Sequence, residues 1–158
     1  MNKLKFRKAV EGDLELYYKW ANEYQVRIQS FNSDLISLED HTKWFNEKIK
    51  DHRFYFYLFQ NEKDEYVGQV RIQITSNSES LIGVSVDESF RGLGLGSKLL
   101  LLATQEYFVQ FPNTQISAYI KQENLPSKAI FEKAGFKYEG MVVYQNFSSY
   151  YFIKYANR

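Results

Sequence analysis

Residues 84 to 100 read Val84-Ser85-Val86-Asp87-Glu88-Ser89-Phe90-Arg91-Gly92-Leu93-Gly94-Leu95-Gly96-Ser97-Lys98-Leu99-Leu100. A short apolar run gives way to a charged turn, then to three glycines at alternate positions, then to a leucine-rich stretch at helical spacing. This succession predicts a strand, a loop and a helix, and with them an anion cradle. Glycines at Gly92, Gly94 and Gly96 remove the Cβ atoms that would hold a phosphate off the backbone, and they let the amides tilt toward one point. The helix that follows offers its unpaired N-terminal amides and the positive end of its dipole to the same place.

Spacing separates the phosphate motifs that compete for this stretch. A dinucleotide fingerprint needs G-x-G-x-x-G, but the third glycine would fall on Ser97 counting from Gly92 and on Leu99 counting from Gly94. A P-loop needs lysine ahead of serine or threonine, and Gly96-Ser97-Lys98 has the order reversed. The pattern that fits is Arg-x-x-Gly-x-Gly at Arg91, Gly94 and Gly96, behind a strand over residues 81–86. It resembles the acyl-CoA pyrophosphate loop of the GCN5-related N-acetyltransferase (GNAT) superfamily. The bland alternative is a tight loop whose glycines serve only turn geometry and packing, and the rest of the chain has to decide.

Composition narrows the field. A chain of 158 residues with 44% hydrophobic and 25% charged residues is expected to form one domain, residues 1–158, with a core that needs no staples. Cysteine is absent, which excludes disulfides, a thiol nucleophile and thiolate metal sites. Two histidines are too few for a His-rich metal centre, so no metal is expected. A net charge of +1 provides no field for nucleic acid. No stretch approaches a membrane span and the charged start lacks a signal-peptide core, so a cytoplasmic protein is expected. The 13 Tyr, 13 Phe and 2 Trp suit strands and a flat-walled cleft.

Along the chain, alternation predicts a first strand over residues 3–8, and Leu14, Tyr17, Tyr18 and Ala21 mark a helix over residues 12–22. Residues 24–36 have no clean period and read as a loop. Ser37 caps a second helix with Asp40 in its first turn, and Leu38, His41, Phe45 and Ile49 or Lys48 share a face, with Trp44 beside it. Strands follow over residues 53–59 and 67–74, then the fourth over 81–86. The helix after the glycine loop runs to about Gln110, and alternation predicts a fifth strand over residues 116–121. Asn124 caps a short helix with Pro126 in its first turn and Gly135 at its end. Residues 136–144 and 150–155 pair as a hairpin across 146–149. The expected class is α/β (α+β), one mixed sheet with helices on both faces.

The stretch Gln122-Glu123-Asn124-Leu125-Pro126-Ser127-Lys128-Ala129-Ile130-Phe131-Glu132-Lys133-Ala134-Gly135-Phe136 decides between the readings. It resembles the second signature of the same superfamily, N-x-x-[SA]-x-x-[YF]-x-K-x-G-F, in order and spacing. The resemblance implies the GNAT fold: a mostly antiparallel sheet whose fourth and fifth strands splay, with acetyl-CoA in the gap. It assigns the Val84, Ser85 and Val86 backbone to the pantetheine arm, with the Val84 amide beside the thioester oxygen. It assigns the pyrophosphate to Arg91, Gly92, Leu93, Gly94, Leu95, Gly96 and Ser97, and further CoA contacts to Asn124, Ser127 and Phe131. Many members carry tyrosine at the Phe131 position as a proton donor, a role phenylalanine cannot fill. Tyr119 and Tyr138 are the substitutes, each set against plain aromatic packing. Glu79 matches a glutamate base of some relatives. With no cysteine and no G-x-S-x-G elbow, direct attack by a bound amine is the simplest chemistry.

The N-terminal third is expected to choose the acceptor. Its residues, with Gly68-Gln69-Val70-Arg71, resemble the bacterial branch that acetylates the 4-amino group of nucleotide-linked amino sugars. Arg27 and Arg71 suit a diphosphate, Phe31 and Trp44 a sugar ring or base, and His41 a polar contact. Against these stand a sheet-face ion pair for Arg71 and core packing for Trp44 and His41. The competing acceptors are a polyamine, which wants carboxylate walls, and a protein N-terminus. A third alternative is a non-catalytic acyl-CoA-binding module. A homodimer is the candidate assembly.

Overall fold

The computed structural model describes residues 3–156. Seven strands form one sheet, β1 (Lys5–Lys8), β2 (Phe54–Gln60), β3 (Tyr66–Ile74), β4 (Glu79–Val86), β5 (Gln115–Lys121), β6 (Lys137–Tyr144) and β7 (Phe147–Tyr155). Their order is β1-β2-β3-β4-β5-β7-β6. Every neighbouring pair is antiparallel except β4 and β5.

Alternation on β2 shows why helices cover both faces. Phe56, Tyr57, Leu58 and Phe59 are all buried, so neither side of this strand meets water. Tyr57 and Phe59 join Val70, Leu99, Leu100 and Phe152 on one face, against α4 (Leu95–Gln110) and α5 (Leu125–Lys133). Phe56 and Leu58 join Tyr17, Trp20 and Phe45 on the other, against α1 (Leu14–Ala21) and α3 (Leu38–Lys48). Each large apolar side chain removed from water contributes about 1.5–3 kcal/mol. The two clusters therefore hold the sheet from opposite sides.

Helix ends follow the local chemistry. Ser37 Oγ accepts from the Asp40 N–H at 3.1 Å and starts α3, a cap contributing about 1 kcal/mol. Asn124 Oδ1 accepts from the Ser127 N–H at 3.3 Å and starts α5, which Gly135 ends at φ 85°. On β3, a Cβ at Gly68 would stand 2.4 Å from the Ser85 carbonyl oxygen; only glycine lets β3 approach β4 there.

Three expectations need correction. Residues 24–36 are not all loop: α2 (Tyr24–Gln29) forms within them. None of its residues is fully buried, so it imposes no apolar period on the sequence. The Asn22 side chain clasps this excursion, donating to the Ile36 carbonyl and accepting its N–H, both at 2.7 Å. The β6–β7 turn is two residues, Gln145 and Asn146, both at positive φ, so β7 begins at Phe147. A short 3-10 turn, Glu11–Asp13, precedes α1, so the first α-helix begins at Leu14 rather than Gly12.

Candidate active site

The central feature is where β4 leaves β5. Their parallel pairing stops after Glu79↔Gln115, Ser80↔Ile116 and Leu81↔Ser117, so the expected splay is present. Hydrogen-bond alternation fixes what faces the gap. Asp87 N–H donates to Val67 O at 2.8 Å and Thr75 N–H to Glu79 O at 3.0 Å, which gives the odd-numbered residues of β4 to β3. Val84 and Val86 therefore turn their main-chain groups away from β3. Val84 N–H meets no strand partner beyond Leu81↔Ser117.

The glycine loop closes one end of this gap. Gly92 and Gly94 adopt φ 78° and 74°, the left-handed region that favours glycine. A Cβ at either position would meet no atom within 4 Å, so both lie beside open space. Among the described residues, no hydrogen bond within the chain takes the N–H groups of Arg91, Gly92, Leu93 or Gly94. α4 starts directly after Gly94 without a side-chain cap. Uncapped helix amides and unpaired loop amides together form an anion site. Gly96 has a different reason: its Cβ would stand 2.7 Å from Ile130 Cδ1, so it lets α4 pack on α5.

A cleft of about 760 Å³ runs from this loop across the α1–α3 face of the sheet. Val84, Ser85, Val86, Arg91, Gly92, Gly94, Leu95, Gly96, Ser97, Asn124, Ser127 and Phe131 line it, as do Tyr119, Arg27, His41, Trp44 and Arg71. Leu93, Phe31, Glu79 and Tyr138 do not. Leu93 points outward, 60% exposed. Phe31 packs edge-on against Tyr144 at 4.9 Å, anchoring the segment after α2 to the hairpin. Glu79 sits at the closed end of the gap, where its Oε1 accepts from Gln115 Nε2 at 3.3 Å, and so is not placed to act as the base. Tyr138 is half exposed and packs on Phe152 at 5.5 Å, on the α5 side, which removes it as an acid.

Two further residues serve the architecture. His41 Nε2–H donates to the Leu14 carbonyl at 3.1 Å, the ring stacks on Phe45, and burial pulls its pKa down. It lines the cleft with its Nε2–H committed to Leu14. Arg91 Nε donates to Val86 O at 3.0 Å, and its Nη2 pairs with Glu23 Oε1 at 2.5 Å. Its guanidinium is thus engaged in protein contacts, and one lone pair of the Val86 carbonyl is taken by it.

Tyr119 lies between Tyr144 at 4.0 Å and Tyr151 at 4.9 Å, nearly parallel to both rings. Burial first, then the neighbouring phenols, push its pKa up, so it keeps its proton. Lys121, two residues along the same strand face, donates to the Ile28 carbonyl at 3.2 Å and lies 3.9 Å from the Phe147 ring centroid. Trp20 Nε1 donates to Asp87 Oδ1 at 2.8 Å, fixing α1 to the end of β4.

Tyr17, Gln29, Gly83 and Lys121 also line the cleft, and the sequence reading had singled out none of them for it. Gly83 had left a trace as a lone glycine inside a strand, which often marks close approach by another molecule. Among the described residues lining the cleft there is no Asp or Glu, against Arg27, Arg71, Arg91, Lys121 and Lys133. No cluster of three or more His, Asp or Glu suits a metal ion, and no helix is long and apolar enough to cross a membrane, among the described residues.

Known proteins share this fold. The probable N-acetyltransferase YjcK of Bacillus subtilis is 30% identical over 101 residues, 61% of this chain and 56% of that protein. The prophage-derived uncharacterized N-acetyltransferase YokL of the same organism is 22% identical over 57% of its length. The chain thus spans little more than half the length of the curated relatives it matches. Spermidine N-acetyltransferase from Vibrio cholerae, solved with CoA and spermine, superposes at TM-score 0.86 with 17% identity, covering 96% of this chain and 94% of that one. The aminoglycoside acetyltransferase AAC(6')-Ib, solved with coenzyme A, superposes at 0.81 with 20% identity, covering 97% and 95%. The acetyltransferase (GNAT) domain family matches residues 3–137. With the split sheet, the glycine loop and that match across most of its length, the chain belongs to the GNAT acetyltransferase domain family.

Proposed function

We propose that this chain is an acetyl-CoA-dependent N-acetyltransferase acting on the primary amine of a small molecule. The observation that carries the reading is the unpaired amide run from Arg91 to Gly94, with open space beside Gly92 and Gly94, at the mouth of the β4–β5 gap. Those amides and the first turn of α4 would hold the CoA pyrophosphate. Val84 and its neighbours on β4 would hold the pantetheine arm, with Asn124 and Ser127 on the facing wall. Bound acetyl-CoA supplies the acyl group as an activated thioester.

The remaining chemistry belongs to the chain. The Val84 N–H faces the gap and donates to the oxygen that gains negative charge as the amine attacks. Tyr119, protonated in the same cleft, is a phenol on the β5 wall that would be available to the departing sulfur. No carboxylate lines the cleft among the described residues, so the ammonium proton leaves through water. Arg27 and Lys121 assist by making a bound cation less favourable than the neutral amine.

The acceptor is proposed at the level of a small-molecule primary amine. The nucleotide-linked amino sugar implied by the sequence resemblance has no counterpart among the relatives named above. A polyamine is the second reading, favoured by the fold match to a spermidine N-acetyltransferase. A cleft with five cations and no carboxylate in its lining opposes it, because a polycation bound there gains no attraction. The test is thiol release from acetyl-CoA with spermidine, an aminoglycoside, nucleotide-linked amino sugars and N-terminal peptides, with the acetylated product found by mass spectrometry. Tight CoA binding without turnover on any amine would leave a non-catalytic binding module.

A further inference from the structure

Arg71 stands on the cleft side of β3, directly across the ladder from Gly83. It remains accessible from the cleft, while the protein around it, first by desolvation, lowers its pKa below the ordinary arginine value. Among the described residues its guanidinium has no carboxylate partner and no hydrogen bond; the Trp44 ring lies 5.6 Å from the guanidinium carbon to the centroid, and Tyr17 and Arg27 are near enough to act on its charge.

The other cations near it are committed. Arg27 donates to the Asn32 and Asp34 carbonyls and to Ser30 Oγ, Arg91 is paired with Glu23, and Lys121 donates to Ile28 O. A cleft-facing guanidinium with neither a carboxylate nor a hydrogen bond from the protein is open to an anion that a ligand supplies.

Two neighbouring groups share the deficit. Tyr17 is 5% exposed, lines the cleft, and its hydroxyl has no partner. Gln69, two residues from Arg71 on the same strand face, donates through Nε2 to Ser85 Oγ at 3.1 Å and leaves Oε1 buried without a donor. On this part of the sheet one cation, one hydroxyl donor and one amide acceptor therefore face the cleft unsatisfied; on α2, Arg27 Nε and Gln29 Oε1 are further cleft-lining atoms without a partner. Across the ladder from Arg71, a Cβ at Gly83 would meet nothing within 4 Å, so there is room for a ligand over this face of β3 and β4.

From this convergence we infer that Arg71, with Tyr17 Oη beside it, reads an oxyanion carried by the same molecule as the acceptor amine, a carboxylate or a phosphate. Gln69 Oε1 takes an N–H or O–H from that molecule. The inference rests on the acetyltransferase reading and narrows its acceptor class. Arg71 pairs with Gly83, and Gly83 adjoins Val84, so the anion and the reacting amine belong to one compact molecule rather than to the far ends of a long one. Arginine suits this role because its planar fork matches both oxyanions.

The experiment uses acetyl-CoA and acceptor pairs that differ in the anion: β-alanine against propylamine, phosphoethanolamine against ethanolamine, and glucosamine 6-phosphate against glucosamine, with spermidine alongside. The expected result is a kcat/KM at least about 100-fold higher for the anionic member of one or more pairs. In Arg71→Gln that ratio falls to within about threefold of one, with the KM for acetyl-CoA unmoved, and Arg71→Lys recovers part of it. Which pair responds distinguishes carboxylate from phosphate. Preference for the neutral amines or spermidine, or a ratio that survives Arg71→Gln, overturns the inference and leaves the acetyltransferase standing. If no amine turns over, the acetyltransferase reading fails, and thermal shifts with CoA present judge the subsite alone. A shift by β-alanine, phosphoethanolamine or glucosamine 6-phosphate that disappears in Arg71→Gln supports the subsite. No Arg71-dependent shift by any of the three refutes it.

Discussion

Arg91 Nη2 stands 2.5 Å from Glu23 Oε1, an ion pair that fastens the loop after β4 to the corner between α1 and α2. The loop that would grip the donor and the helix that roofs the acceptor end are thereby one connected unit. Lys121 holds α2 from the opposite wall through Ile28. Glu23→Gln removes the charge that orients Arg91. Stability should change by less than about 1 kcal/mol, because Arg91 is 35% exposed and water takes up its charge. The acceptor KM should rise several-fold as α2 loses its anchor. Urea denaturation and steady-state kinetics check both; unchanged KM values for both substrates would show that the pair is no tether.

Gly94 combines a left-handed backbone with open space before its missing Cβ. Gly94→Val imposes about 1–2 kcal/mol of backbone strain and fills the place of a phosphate. CoA affinity by calorimetry should fall by more than about tenfold, while pantetheine, which lacks the pyrophosphate, binds as before. Equal loss for the two ligands would mean that the variant damages the fold and not the cradle.

Gly83 offers the reverse pairing of effects. Ala at this position meets no neighbour and restricts the unfolded chain, so melting should show a gain of about 0.4–1 kcal/mol. Gly83→Leu projects into the cleft opposite Arg71 and should raise the acceptor KM far more than that for acetyl-CoA. Gly83→Leu with an unchanged acceptor KM would place the acceptor elsewhere.

His41 predicts a pH dependence. Burial lowers its pKa below the ordinary 6.5, so the unfolded chain binds the proton more readily than the folded one. The stability tied to neutral His41 is whole above about pH 6.5 and drains away as pH falls through the folded pKa. His41→Gln should show a shallower drop in melting temperature between pH 7.5 and 5.5 than the parent. Parallel curves would contradict the assignment.

The strand, loop and helix over residues 81–110 were legible because each leaves a local mark: a short apolar run, glycine spacing and an apolar helical period; that β4 begins two residues earlier, at Glu79, was not. The caps at Ser37 and Asn124 were legible for the same reason. α2 was not, since a helix with no fully buried residue imposes no period on its sequence. Nor was the reason for Gly96, which lies 34 residues away in the side chain of Ile130. Glu79 was legible as a residue at the start of the fourth strand, but that it lies at the closed end of the gap depends on where β4 and β5 stop pairing. That boundary is a three-dimensional event without a local signal. Arg71 was singled out early, but its lack of a partner is visible only once every neighbouring carboxylate has been located.

The break between β4 and β5 divides the sheet into two stiff plates, β1–β4 and β5–β7, joined along three residue pairs and by the helix that crosses from one to the other. On the proposed function, a thioester arm lying along β4 supplies rungs that β5 withholds, so the loaded protein is welded into one continuous panel. Heat tolerance then depends on the acetyl-CoA concentration around the protein as well as on its sequence, rising logarithmically with that pool once it exceeds the dissociation constant.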